Sequence, residues 1–456
     1  MYKKILIASL ALIAGLASCK KDDPTPSPNP PSTLTIDGVA SSLEFYQLDT
    51  AHLSVAGVAK DAAAKAVWVV NGAKAAEGAT FDFTTAHPGK YEITLTVDGK
   101  SAKQTYTVAP RFSEGAFLLN EGNFGNETGS LTYIHPSKKL VIDQAYYRVN
   151  GTKLGNVCQD LAFGNDQVYI LSQLGPKNGG EGLLTIANSH SLEKVKVYND
   201  EALAQSTPTH IAVLRDHIYI RTERDGILRG SSEGGFTPIT GTKKALKQRM
   251  AQIGERLFAL TSDSKVLMIQ GTQVVRELDL SPAKPSGIAV SHDGKLWVST
   301  TSPNAILKVD PTPDNFVALD THILDKSISA TGPQSWERTT SSAFFAHGDK
   351  LYFTGQSSVI YCHDFATSKT SQVIDVKTID GVGTSANKYY NSLGVDPATG
   401  ELYYAAFEDY GTYNKKNVTM VLKADGTKLL LKEQVNSFPA GFYFIPNAAN
   451  RTGANR

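Results

Sequence analysis

"QDLAFGNDQVYILS", Gln159 to Ser172, reads as two short apolar strands around a tight turn. Leu161 and Phe163 alternate with smaller neighbours, Gly164-Asn165-Asp166-Gln167 carries turn chemistry, and Val168 to Leu171 is β-branched and aromatic. The hairpin recurs down the chain. "MAQIGERLFAL" covers Met250 to Leu260, "IAVSHDGKLWVS" Ile288 to Ser299, "FFAHGDKLYFT" Phe344 to Thr354 and "LGVDPATGELYYA" Leu393 to Ala405. "IAVLRDHIYIR", Ile211 to Arg221, is a copy without the glycine. Aligning the aromatic of the second strand puts Tyr169, Tyr219, Phe258, Trp297, Tyr352 and Tyr403 in register, at steps of 50, 39, 39, 55 and 51 residues. "GAFLLNEGN", Gly115 to Asn123, supplies an earlier copy with Phe117 near that register.

Two further strands complete each unit, for example Leu183 to Ile186 with Lys194 to Tyr198, and Ala305 to Val309 with Phe316 to Leu319. Four strands per repeat of this length are the signature of a β-propeller blade, which must stack on neighbours to bury its faces. Residues 115–446 therefore read as a seven-bladed β-propeller. The first repeat lacks its own inner strand, so Gly441 to Ile445 is expected to complete it and close the ring. Residues 33–109 read as a separate β-sandwich: Ala66 to Val70 precedes the turn Asn71-Gly72, and Tyr91, Ile93, Leu95 and Val97 alternate with polar residues. The "P-G-x-Y-x-I-x-L-x-V" strand after a Trp strand resembles immunoglobulin/PKD-like modules of bacterial surfaces. The fold class is all-β throughout, with residues 447–456 as a C-terminal tail.

The N-terminus speaks to location. Lys3 and Lys4 precede a short apolar run, Ile5 to Leu16, which fits a signal peptide over residues 1–18 better than a membrane span. Leu16-Ala17-Ser18-Cys19 resembles the lipobox of bacterial lipoproteins, implying lipidation of Cys19; the alternative is a signal peptide with an incidental cysteine. Cys19-Lys20-Lys21-Asp22-Asp23 resembles the export signal of surface lipoproteins in the Bacteroidota. The prolines between Pro24 and Pro31 complete a tether, residues 19–32, of extended polyproline character. The expected place is the outer surface of the outer membrane, with the lipid as the only membrane contact. Cys158 and Cys362 read as buried thiols, although a bridge between them stays open. A formal charge of +1 and 20% charged residues carry no stripe for nucleic acid.

Catalytic patterns such as H-E-x-x-H, G-x-S-x-G and the P-loop do not occur, and the ten histidines lack ligand spacing. His210 and His292 read as turn residues. No enzyme activity, cofactor or metal is expected. Propellers bind where loops entering each inner strand meet loops leaving the second. Those positions nominate Asn120, Asn123, Gln159, Asp160, Gln173, Arg249, Trp336, Gln356, Tyr390 and Tyr410 as ligand-binding candidates. Polar groups and aromatic walls of this kind suit a bulky ligand. For Gln159 and Asp160 the alternative is a capping role in the turn.

Phe117 to Tyr133, "F-L-L-N-E-G-N-F-G-N-x-x-G-S-L-T-Y", with "N-G-x-K-L-G-N-x-x-Q-D-L", Asn150 to Leu161, resembles the opening of a Bacteroidota lipoprotein propeller family, YncE-like in its blade turns. That family includes BtuG-type proteins, which capture cobamides (vitamin B12 and relatives) for a TonB-dependent transporter. The resemblance implies a surface lipoprotein that binds a cobamide or another bulky small molecule and passes it to such a transporter. Two other readings compete: an adhesion module for protein or glycan, and a propeller hydrolase or lyase.

Overall fold

The computed structural model describes residues 33–40, 43–328, 343–355, 357–388 and 393–446. Two compact units emerge. The smaller takes Thr35–Gly38, His52–Asp82 and Glu92–Gln104; the larger takes Thr105 onward together with Ser41–Ala51 and Phe83–Tyr91. The N-terminal strands form a three-stranded and a five-stranded sheet. In the latter, Ile93, Leu95 and Val97 are buried while Glu92 is exposed, the alternation written in the sequence. Trp68 is fully buried and its indole N–H donates to the Gly78 carbonyl at 2.8 Å, so its one polar atom is satisfied.

From Ala116 onward the described strands make seven four-stranded antiparallel sheets. The first orders Pro439–Phe444, Ala116–Asn120, Ser130–His135 and Leu140–Ile142. The other six follow in chain order, with inner strands Cys158–Gly164, Pro208–Leu214, Ala251–Ile253, Lys284–Val290, Phe344–His347 and Leu393–Val395. The C-terminal strand pairs with the first, Phe442 opposite Leu118 and Tyr443 opposite Phe117.

The aligned aromatics explain the repeat. Tyr169, Tyr219, Phe258, Trp297, Tyr352, Tyr403 and Phe117 all lie in second strands and are at most 4% exposed. Opposite five of them the inner strand carries Ala162, Ala212, Ala251, Ala289 or Gly394. Inner strands crowd together, which favours a small cross-strand neighbour at these five, while Tyr352 faces Phe345 and Phe117 faces Tyr443. At Gly394 the limit is explicit: a Cβ would meet that of Phe442 at 2.6 Å. The apolar core is split into clusters shared by consecutive sheets, and one cluster joins Tyr403, Ala405 and Val421 of the seventh to Leu118 and Phe442 of the first.

Two local readings are corrected. The fourth strand of the fifth sheet is Ala318–Ile323 rather than Phe316 to Leu319. Asp310 holds the preceding loop by accepting from Thr312 N and Asn315, and Phe316 packs on Phe258 instead. His210 lies inside Pro208–Leu214, fully buried beside a β-bulge, and is not a turn residue. His292 does sit in the turn before Leu296–Thr301.

The contact between fifth and sixth sheets is rich in histidine. His322 Nδ1 and His363 Nε2 are 2.8 Å apart, and Phe365 stacks on His322 at 3.7 Å. Thr370 holds the other His363 nitrogen, while Asp320, Ser368 and Asp364 are the remaining polar neighbours. At the hairpin end the rings of His292 and His347 are 4.9 Å apart, beside Lys295, which pairs with Asp293 and Asp349. Asp396 and Lys350 also act on His347. Burial lowers the His363 and His347 pKa values, and the neighbouring imidazole lowers each further. A histidine whose folded pKa is depressed is protonated first in the unfolded chain. Its stabilisation is present above the ordinary value of about 6.5 and declines as pH falls past it. Melting temperature should therefore drop between pH 7.5 and 5, with a flatter slope in a His347→Gln/His363→Gln variant. An identical slope would remove this seam as the cause.

Candidate functional site

Residues from all seven inner strands line one central cavity of about 340 Å³. Its wall is apolar, with Phe163, Val213, Val290, Phe345, Val395 and Phe444 among the lining side chains. At the strand-entry end stands a charged clamp. Arg249 places Nε 3.5 Å from Asp160 Oδ1, its two terminal nitrogens 3.4 and 3.5 Å from the Phe442 and Ala440 carbonyls, and its plane 4.2 Å over the Tyr443 ring. Asp160 accepts from Tyr443 Oη at 2.6 Å and from Ile211 N at 2.9 Å. One arginine before the fourth sheet thus ties the first and second, and Asp160 reaches on to the third.

The clamp dictates a glycine. Gly441 has φ +152°, and a Cβ there would fall 1.6 Å from Arg249 Nη2. Electrostatics follow from the same geometry. Burial raises the Asp160 carboxyl pKa, and Arg249, Tyr443 and the backbone N–H groups only partly oppose it. Tyr443 is pushed well above the usual phenol value, again first by burial.

Other entry-loop residues make similar stitches. Gln159, 1% exposed, donates to the buried Glu121 carboxylate. Gln248 donates to the Ser286 carbonyl at 3.0 Å, in the next sheet. Asn120, also 1% exposed, donates to Ser130 and Thr132 and accepts from Ser437 N at 3.1 Å. These three offer almost no surface to an outside molecule. Asn120, named from sequence as a ligand-binding candidate, lies buried, with its amide joining the first sheet to the C-terminal segment.

Two loops carry aromatic chemistry, with Phe124 exposed in one and Tyr410 half-buried in the other. Asn123 to Glu127 is stabilised by Asn123 Oδ1 accepting from Gly125 N, and leaves Phe124 63% exposed. Lys177 Nζ lies 3.7 Å over the Phe124 ring, and Asn178 donates to the Phe124 carbonyl at 3.3 Å. That second segment leaves Ser172 through Gln173, half-buried, whose N–H pairs with the Val157 carbonyl. The other loop brings Phe407, Tyr410 and Tyr413 against Phe438; Tyr413 stacks on it at 4.1 Å and Tyr410 at 5.9 Å. Lys388 lies 5.8 Å from the Tyr410 ring. Glu127 joins the two loops by accepting from Tyr413 Oη and Ser437 Oγ, both at 2.8 Å. Burial raises the Tyr413 pKa to about 12, so that hydroxyl stays a donor.

The structure thus joins Asn123 and Tyr410 into one aromatic wall with Gln173 in an adjoining loop, and joins Asp160 and Arg249 in the clamp. Trp336, Gln356 and Tyr390 lie outside the described residues, as does Cys19. Sequence reasoning missed Tyr443 and Gly441 in the clamp and Phe438 in the wall. Phe438 had no signal, since it adjoins the closing strand and reads as part of it. Both remaining cysteines are free; burial pushes Cys362 up to about 11 and Cys158 further, which makes both unreactive. Among the described residues no helix is long and apolar enough to cross a membrane.

No curated protein matches the chain. Among solved structures, a quinonprotein alcohol dehydrogenase-like protein from Bacteroides thetaiotaomicron VPI-5482 is similar over 92% of this chain and 98% of its own, at 15% identity and a TM-score of 0.58. A protein from Lactobacillus plantarum aligns over 73% of this chain and all of its own, at 13% identity and a TM-score of 0.48. The likeness to the Bacteroides protein concerns fold alone, and with the four-stranded sheets it supports a β-propeller. Residues 114–446 match the model of a domain of unknown function, DUF5074, and the chain belongs to that family.

Proposed function

We propose that the seven sheets are blades of one closed ring behind a PKD-like sandwich, and that the protein is a surface lipoprotein anchored through Cys19. It captures a bulky ligand, a cobamide as first choice, for a TonB-dependent transporter. Acylation at Cys19 requires that Cys19→Ala leave the membrane fraction; retention there would end the anchoring proposal. The observation that carries the binding reading is the aromatic wall. Two loops far apart in sequence are joined by Glu127 into one surface, with Phe124 and Tyr410 presented beside the Lys177 and Lys388 ammonium groups. Exposed apolar area on a hydrogen-bonded frame is favourable for binding because little ordering entropy remains to be lost. A large ring system with peripheral amides and an anionic group fits its chemistry.

The test is titration with cyanocobalamin, read by its visible spectrum and by co-elution. An aromatic anchor carries about 2 kcal/mol, so Phe124→Ala and Tyr410→Ala should each weaken binding roughly thirtyfold. Phe124→Ala should leave melting unchanged, given its exposure. If wild-type protein retains no cobamide at micromolar concentration, the first-choice ligand is wrong and adhesion becomes the better reading.

A further inference from the structure

A second cleft, of about 580 Å³, opens among the hairpin ends of the second, third and fourth sheets, with Phe163, Gly164 and Asn165 on its second-sheet side. It is separate from the aromatic wall, whose loops sit at the strand-entry end. Arg229, on Gly226–Ser231, stands directly across from Tyr219 in the same sheet. Tyr219 Oη donates to the Gly271 carbonyl at 3.0 Å and so ties the cleft's two sides together. Gln252 and Gln270 of the fourth sheet line the cleft with them.

What distinguishes Arg229 is a buried guanidinium nitrogen, Nε, that meets no acceptor among the described residues. Four other arginines of the larger unit are answered: Arg221 by the Ala245 carbonyl and Thr209, Arg249 by Asp160, Arg256 by the Pro311 carbonyl, Arg276 by the Pro313 carbonyl. Arg215 at the cleft's edge is neutralised by Glu255. One guanidinium nitrogen is thus left without an acceptor in a concave site lined also by two carboxamides. A buried donor without an acceptor costs free energy unless something else supplies one. The guanidinium fork matches the two oxygens of a carboxylate or phosphate, and carboxamides match hydroxyl groups.

We propose that this cleft binds a small hydroxylated oxyanion, with Arg229 taking the anionic group and Gln252 and Gln270 the hydroxyls. Glucuronate and glucose 6-phosphate carry the two candidate anions on one sugar frame, and glucose is the neutral control. Calorimetry at low ionic strength, where charge pairing is least screened, should show binding of at least one anion and at least roughly tenfold weaker binding of glucose. Glucuronate alone identifies a carboxylate site and the phosphate alone a phosphoryl site; either supports the proposal. Arg229→Gln should abolish the heat without lowering the melting temperature, and Arg229→Lys should retain part of it. Phe124→Ala should leave it untouched, which separates this site from cobamide capture. No binding of either anion at about 10 mM, or full binding by Arg229→Gln, overturns the proposal.

Discussion

Deleting Gly441 to Arg456 should abolish cooperative unfolding of the larger unit. The missing strand supplies Phe442, Tyr443 and Ile445, all buried, and the backbone that Arg249 grips. Phe442 packs in the cluster shared with the seventh sheet, and Tyr443 and Ile445 in the cluster shared with the second. Loss of a large buried side chain costs about 3–5 kcal/mol, and this deletion removes several at once together with a strand's ladder hydrogen bonds. The total is comparable to the whole stability of a typical domain, about 5–15 kcal/mol. Ala116–Asn120 would also be left as an apolar edge open to association with other chains. Circular dichroism on heating should lose its sharp transition, and size exclusion should show aggregates. Gly441→Ala is the graded version: the atoms nearest its Cβ belong to the Arg249 guanidinium and its positive φ disfavours alanine, so Arg249 must move and melting should fall without aggregation. A truncated protein that melts like the parent would rule out closure at this strand.

The repeat was legible because its causes are local. A hairpin turn, a β-branched second strand and one large ring at a matching place in it are visible in any stretch such as Ile288 to Ser299, and the structure buries every one of those rings. Closure was legible for the same reason: Phe442-Tyr443-Phe444 was a strand in need of a sheet. The clamp was not. Asp160 and Tyr443 lie 283 positions apart, and nothing near either announces the other. Polar residues at an inner-strand entry look alike whether they face a ligand or the neighbouring sheet. Gln159 and Asn120 were both named as ligand candidates, Gln159 with a capping role as its alternative, and in the structure their amides bond to Glu121 and to the C-terminal segment. Asn123 and Tyr410 stayed in play because the loops that carry them are longer than the turn requires.

Asp160→Ala and Asp160→Asn should separate charge from hydrogen bonding in that clamp. The carboxylate is 2% exposed and answers three donors: Tyr443 Oη, Ile211 N and, at longer range, Arg249 Nε. Alanine removes the acceptor oxygens of Tyr443 Oη and Ile211 N and the carboxylate facing Arg249, which keeps the Phe442 and Ala440 carbonyls; removing one partner of a buried pair costs about 3–5 kcal/mol. The pKa of Asp160 points to what matters. Because burial raises it despite Arg249, ionisation costs more in the folded protein than in the unfolded chain. The associated stabilisation is full below the ordinary carboxylate range and declines as pH rises through the raised value. The oxygens, rather than the negative charge, therefore hold the clamp together. Asparagine keeps one acceptor oxygen of similar shape and should retain most of the stability that alanine loses. Urea unfolding at neutral pH gives the comparison directly, with the midpoint of Asp160→Asn closer to the parent than to Asp160→Ala. Equal losses in both variants would mean that the charge on Asp160 is the stabilising element. A large loss of ligand binding in folded Asp160→Asn, with its midpoint preserved, would return Asp160 to the binding face where its sequence position first placed it.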